Sequence, residues 1–255
     1  MLNWLHTLSN LQIGLFLLST GLCITTLIPA LLRWRFKLEP TEPVAKGVEE
    51  SFRIFTTINL LLLAFCLVRV QGDHRSAEDL SAREGTLMIK ASKAMVTMGT
   101  DEATKLRELL KGYASSVATV EWPLLAEQQR SPETETQLRS LLLASKQLQG
   151  ETQAQELARV EINSTVVQLS DLREARISVS KLRLPAFLWA AVSSSLIFLM
   201  FFGWFQAPLL KMLYWVGGVT AGVALLMTLL ISLESPFNGE NRVSSEPIRN
   251  AIDLM

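Results

Sequence analysis

Four stretches of the chain stay apolar for long enough to cross a bilayer, which takes about 20 residues of α-helix. The first is Leu11 to Leu32, LQIGLFLLSTGLCITTLIPALL, without a single charge. The second runs from about Phe52 to Val70, with Arg53 and Arg69 near enough to its ends to reach the headgroups. The third is Leu184 to Phe205 and the fourth Leu209 to Leu233, joined through QAP as a hairpin. Trp189, Trp204, Tyr214 and Trp215 fall toward helix ends, where aromatic rings anchor at the membrane interface. The first segment is longer than a secretory leader's core, lacks a preceding basic residue and is followed by RWRFK. It is therefore expected to be a retained anchor.

Between the second and third spans lie roughly 110 mostly polar residues whose apolar positions repeat with helical period. From Thr100, the residues Leu106, Leu110, Tyr113, Val117, Val120 and Leu124 follow alternating steps of four and three, a seam for lengthwise helix packing. SPETETQLRSLLLASKQLQG predicts a second helix, with Ser131 as N-cap, Pro132 at its first position and Gly150 as its stop. A third is predicted from about Thr152 to Lys181, carrying Leu157, Val160, Ile162, Val166 and Leu169. Residues 73–98 should continue the second span as a fourth. No stretch alternates with period two for more than a few residues. The expected fold is an all-α membrane protein: a transmembrane hairpin in 1–72, a helical-bundle extramembrane domain in 73–183, a second hairpin in 184–233 and a polar tail in 234–255.

Charge adds constraints. Charged residues make up 19% of the chain, against about 25% in soluble domains, as lipid-facing segments require. Twenty-four Lys plus Arg balance 24 Asp plus Glu with no basic block, which argues against a nucleic-acid partner. An even number of spans puts both termini and the bundle on one side. RWRFK (Arg33, Arg35, Lys37) argues for cytoplasmic short loops; Arg69, Arg75, Arg173, Arg176, Lys181 and Arg183 argue for the reverse. Cys23 and Cys66 sit inside apolar runs without metal-ligand spacing and read as small buried hydrophobes. His6 and His74 are far apart, and no phosphate loop, HExxH or GxSxG is present. The short EGT at Glu84 and NST at Asn163 have no structural context. Neither an enzyme, a metal site nor a cofactor is expected.

Three features could carry function. Phe52, Phe55, Asn59, Leu62 and Cys66 share one face of the second span. That face is either a packing stripe with Asn59 as interhelical glue, or a pore wall with apolar rings and a polar Asn59 ring. Glu121, Trp122 and Pro123 form EWP, a helix kink anchored by a buried tryptophan. Arg173 and Arg176 share a face near Asp171 and Glu174, which suits an interhelical salt-bridge network or anion attraction at a pore mouth.

In combination, these pieces resemble the bestrophin-like membrane family. The resemblance rests on Tyr113, Val117 and EWPLL, then SPE, then LREAR leading into LPAFLW, and above all LESPFNGENRVSSEPI after the last span, in order from about Glu49 to the C-terminus. Two departures are the missing tyrosine near the start of the second span and Glu234 where an aspartate is common. The resemblance implies four transmembrane helices per subunit and a ring-shaped homo-oligomer such as a pentamer in a bacterial inner membrane. It also implies anion conduction along the second helix, and a cytoplasmic bundle and termini. No counterpart of an acidic calcium clasp can be placed.

An oligomeric ion channel, with membrane lipid and small inorganic ions as partners, is thus one expectation. A non-conducting sensor or scaffold whose bundle binds a partner or ligand is the other. In the tail, Pro236 should stop the last helix and Gly239 permit a turn. Phe237 is then expected to dock near Arg173 and Arg176, with Glu234 paired to one of those arginines as a latch.

Overall fold

The computed structural model describes residues 9–36, 42–205 and 209–255, without the side chains of 32, 33, 42, 44, 45 and 209–213. His6, Lys37 and the QAP turn lie outside the described residues. Every regular element among them is helical: α1 (Asn10–Leu22), a π-turn (Cys23–Leu27), α2 (Ile28–Phe36), α3 (Glu42–Met98), α4 (Asp101–Ser116), a second π-turn (Val117–Glu121), α5 (Trp122–Ala126), α6 (Pro132–Gln147), α7 (Gln153–Ser180), α8 (Ala186–Trp204), α9 (Leu209–Leu233) and α10 (Glu246–Leu254). Among the described residues, four helical stretches are long and apolar enough to cross a membrane, as expected of a multi-pass membrane protein. The chain packs into two units. One holds Met1–Gly72, Arg183–Glu234 and Gly239–Asn241; the other holds Asp73–Leu182, Ser235–Asn238 and Arg242–Met255.

The membrane unit begins with a capping box. Gln12 N–H donates to Ser9 Oγ (3.2 Å) and Ser9 N–H to Gln12 Oε1 (3.0 Å), satisfying two donors that the helix start leaves free. Helix α1 packs on α9 through small residues. A Cβ on Gly21 would meet the Thr220 methyl, Cγ2, at 2.8 Å, so a larger residue there would force Thr220 to shift. Leu63, Cys66, Val192 and Leu230 form the centre of the unit, where α3 meets α8 and α9. Pro29 has no N–H and its ring would crowd the preceding turn of an α-helix. The chain widens just before it, and Ile28 N–H bonds Cys23 O instead of Ile24 O. The carbonyl thus released, Ile24 O, accepts from Trp204 Nε1 at 3.1 Å.

The bundle unit obeys the same capping rules. Thr100, Ser131 and Thr152 cap α4, α6 and α7 through their hydroxyls. Gly99, at φ +67°, lets the chain reverse after α3. The packed interior is built on seams with four-and-three spacing. On α3 these are Ala77, Ser81, Glu84, Met88, Ala91, Met95 and Met98; on α7 they are Ile162, Val166, Leu169, Arg173, Arg176 and Ser180.

Several sequence expectations change here. The α4 seam runs as predicted through Leu106, Leu110, Tyr113 and Val117, but then Glu121, Trp122 and Leu125 are buried in place of Val120 and Leu124. The π-turn adds one residue to the helix and so advances the buried face by one. Leu157 and Val160 are exposed, at 67% and 53%, because α7 turns its other stripe inward. Helix α6 stops at Gln147, before Gly150. Gly150 instead lies against the first turn of α7, where a Cβ would meet Glu156 N at 2.7 Å. The polar tail contains α10, which buries Ile248 and Ala251 in the bundle core.

Candidate functional site

In the membrane part of α3 the two apolar faces have different surroundings. The face of Phe52, Phe55, Asn59, Leu62 and Cys66 is turned into the unit. Phe55 stacks on Phe198 and Phe202 with centroids 5.2 and 5.1 Å away, and Asn59 Nδ2 donates to Ser195 Oγ at 2.7 Å. Asn59 and Cys66 have no exposed surface, and this face packs α3 against α8 and α9. The opposite face carries Ile54, Ile58, Leu61, Phe65 and Val68, each at least half exposed and spaced by four and three. Arg69 and Arg75, both exposed, follow at its end.

The bundle holds a second constellation. Its seams on α3, on the π-turn and on α7 each present charge at one level, so that Glu84, Glu121, Arg173 and Arg176 are all at most 2% exposed. Arg173 donates from Nε to both Glu121 oxygens (3.1 and 3.2 Å) and from Nη2 to Oε1 (2.6 Å). Its Nη2 also reaches Ser131 O at 3.4 Å. Arg176 Nη2 bridges the two carboxylates, at 2.9 Å from Glu121 Oε2 and 3.3 Å from Glu84 Oε1. Arg176 Nε lies 2.9 Å from Glu84 Oε2, close enough for an ion pair but without hydrogen-bond alignment. Tyr113 O–H donates to Glu84 Oε1 at 3.1 Å. The Arg176 guanidinium lies 5.1 Å from the centre of the Trp122 ring, a cation–π contact.

Two guanidinium groups face two carboxylates in this cluster, and that pairing of opposite charges offsets the cost of burying them. Burial pushes the Glu84 carboxyl above its ordinary range, against the pull of the Arg176 charge. Burial, and then the negative charge of Glu84, raises the Tyr113 hydroxyl well above its usual value, so it remains a donor.

Arg173 and Arg176 therefore form the interhelical salt-bridge network, with Glu121 and Glu84 as partners. Asp171 is exposed, and Glu174 pairs outside with Arg130 at 2.6 Å. Glu121 ends the π-turn and Trp122 and Pro123 open α5, and the buried Trp122 donates from Nε1 to Val243 O at 3.1 Å. Glu84 and the role of Tyr113 were missed in the sequence, although the four-and-three seam through Glu84 was there to be seen.

In the tail, Glu234 accepts from Trp189 Nε1 at 3.1 Å within the membrane unit. Within the bundle unit, Arg173 and Arg176 are held by Glu121 and Glu84. Phe237 meets Trp122 edge to face at 5.5 Å, and Pro236 O accepts from Val243 N–H at 2.7 Å. Gly239 turns the chain at φ +83°. Beyond it, Asn241 Nδ2 donates to Ser232 Oγ (2.9 Å), which donates to Asn10 Oδ1 (2.7 Å), while Glu240 accepts from the Asn10 amide at 3.0 Å at the positive end of α1.

The architecture and these two constellations define a class: an all-helical multi-pass membrane protein with a charged seam in its helical bundle. Residues 37–248 match the bestrophin-like domain, and the chain belongs to the bestrophin-like family. No curated protein and no solved structure matches it.

Proposed function

We propose that the chain is a bestrophin-like channel for small anions. Copies would assemble as a ring in a bacterial inner membrane, with the bundle and termini in the cytoplasm. The observation that supports this reading is the division of labour along α3. One face is fully used in holding the subunit together, and the opposite face presents an unbroken apolar seam over the membrane stretch. In a ring of copies, Ile54, Ile58, Leu61, Phe65 and Val68 would form stacked apolar constrictions of the kind that gate by dewetting. Arg69 and Arg75 at the end of the seam would concentrate anions at one mouth. The lining residues proposed are thus those opposite to Asn59. Arg173 and Arg176 have no part in attraction, because their charge is already neutralised.

Chloride flux from liposomes holding the purified protein tests this. Leu61→Ser or Phe65→Ser should raise flux by widening or wetting a constriction. Cys66→Ser, on the packed face, should change stability and leave conductance per assembled particle unaltered. Absence of flux from well-assembled oligomers, or an unchanged flux in the Leu61 and Phe65 variants, would overturn the proposal.

A further inference from the structure

The two buried carboxylates of the bundle are held unequally. Glu121 receives aligned N–H donors from both guanidinium groups, the closest at 2.6 Å and 2.9 Å. Glu84 has the Tyr113 hydroxyl, one long bond of 3.3 Å from a nitrogen shared with Glu121, and an Arg176 Nε that is near but misaligned. Arg176 Nη1 is fully enclosed without an acceptor. Among the described residues, the ionisable groups that face Glu84 are Arg176 from α7, Tyr113 from α4 and Glu121 from the π-turn, with Arg173 behind Glu121. From the tail, the uncharged Pro247 backbone packs on Gly85, while Glu246 and Arg249 are exposed. Glu84 is 14 residues past Val70, about 21 Å along α3 and outside the apolar stretch that crosses the membrane.

We propose that Glu84 is a proton-binding site, and that its protonation hands Arg176 over to Glu121 and removes the charged tie between α3 and α7. The step takes one proton from water onto a Glu84 oxygen. The cluster then passes from two positive and two negative charges to two positive and one negative. Of the two carboxylates, Glu84 accepts the proton because it loses fewer and poorer hydrogen bonds. Burial works in the same direction, holding its carboxyl above the ordinary carboxylate range. The native state therefore binds a proton that the unfolded chain, with an ordinary glutamate, does not. Stability from this group is fully present below the unfolded value, about pH 4.3, and is lost as pH rises through the raised native value. This proposal is independent of conduction.

Infrared difference spectra of the purified full chain, titrated from about pH 8 to about pH 4.5, test it directly through the C=O stretch of a protonated buried carboxyl. The band should grow in with a midpoint above that of an ordinary glutamate and be lost in Glu84→Gln. In Tyr113→Phe its midpoint should move upward, since the hydroxyl that favours the ionised form is gone. A band that persists in a folded Glu84→Gln, or a folded wild type that shows none in this range, overturns the proposal. Where Glu84→Gln does not fold, Tyr113→Phe decides, and an unmoved midpoint overturns it.

Discussion

The two π-turns follow one local rule in two different surroundings. Each is five residues long, each ends just before an Xaa–Pro pair (Ile28–Pro29 and Trp122–Pro123), and in each the Xaa amide bonds five residues back. The backbone problem is the same: proline cannot donate, and its ring needs room in the preceding turn. What fills the widened turn differs. In the membrane unit it is neutral, with Thr25 Oγ1 and Thr220 Oγ1 2.9 Å apart and the Trp204 indole on Ile24 O. In the bundle it is the Glu121 carboxylate, clamped by two arginines. A hydroxyl or indole can be satisfied by a single partner, whereas an ion in a dry interior needs an opposite charge and several donors. Lipid offers no water to share that cost, so the membrane version is made of neutral groups.

The parallel can be broken hardest at Glu121. Glu121→Ala leaves Arg173 without its carboxylate and Arg176 with Glu84 alone, and should cost about 3–5 kcal/mol, seen as a large fall in the thermal midpoint or loss of the folded oligomer in detergent. Trp204→Phe keeps the ring but orphans the Ile24 carbonyl. A loss of about 1–3 kcal/mol is expected, measured by resistance of the membrane unit to denaturing detergent; no change would mean the carbonyl finds another donor. The smallest effect is reserved for the hydroxyl pair. A double-mutant cycle of Thr25→Val and Thr220→Val should return a coupling of about 0.6 kcal/mol, and a coupling as large as that of Glu121 with Arg173 would erase the distinction between the two turns.

Much of the helical layout was legible because it rests on period alone. Helix α9 begins and ends at the predicted residues, and the caps at Ser131 and Thr152 are where short polar side chains before apolar runs place them. One failure comes from a single inserted residue, since a one-residue shift rotates a helix face by about 100°. Pro123 was visible in the sequence, but whether the chain would kink or widen was not, and the widening is what moved burial from Val120 and Leu124 to Glu121 and Leu125. On α7 the outer stripe of Leu157 and Val160 is as apolar as the inner one, and only the arginines on the inner stripe, which need partners, could have marked it. Helix α10 was hidden in a short polar tail whose apolar residues are few, although two of them are fully buried. At the second span the residues alone left packing and pore open, since both faces are apolar; the structure shows the Asn59 face buried, with Asn59 bonded to Ser195.

Asn59 acquires a different importance from that assignment. Its bond to Ser195 is a direct side-chain hydrogen bond between the buried surfaces of α3 and α8 in the membrane stretch. Hydrocarbon faces slide past one another at little cost, but a buried amide that leaves its hydroxyl partner finds none in lipid. Asn59 thus acts as the index mark on a dial: it fixes the angle at which α3 is clocked, and so decides which five apolar side chains the subunit shows to the outside.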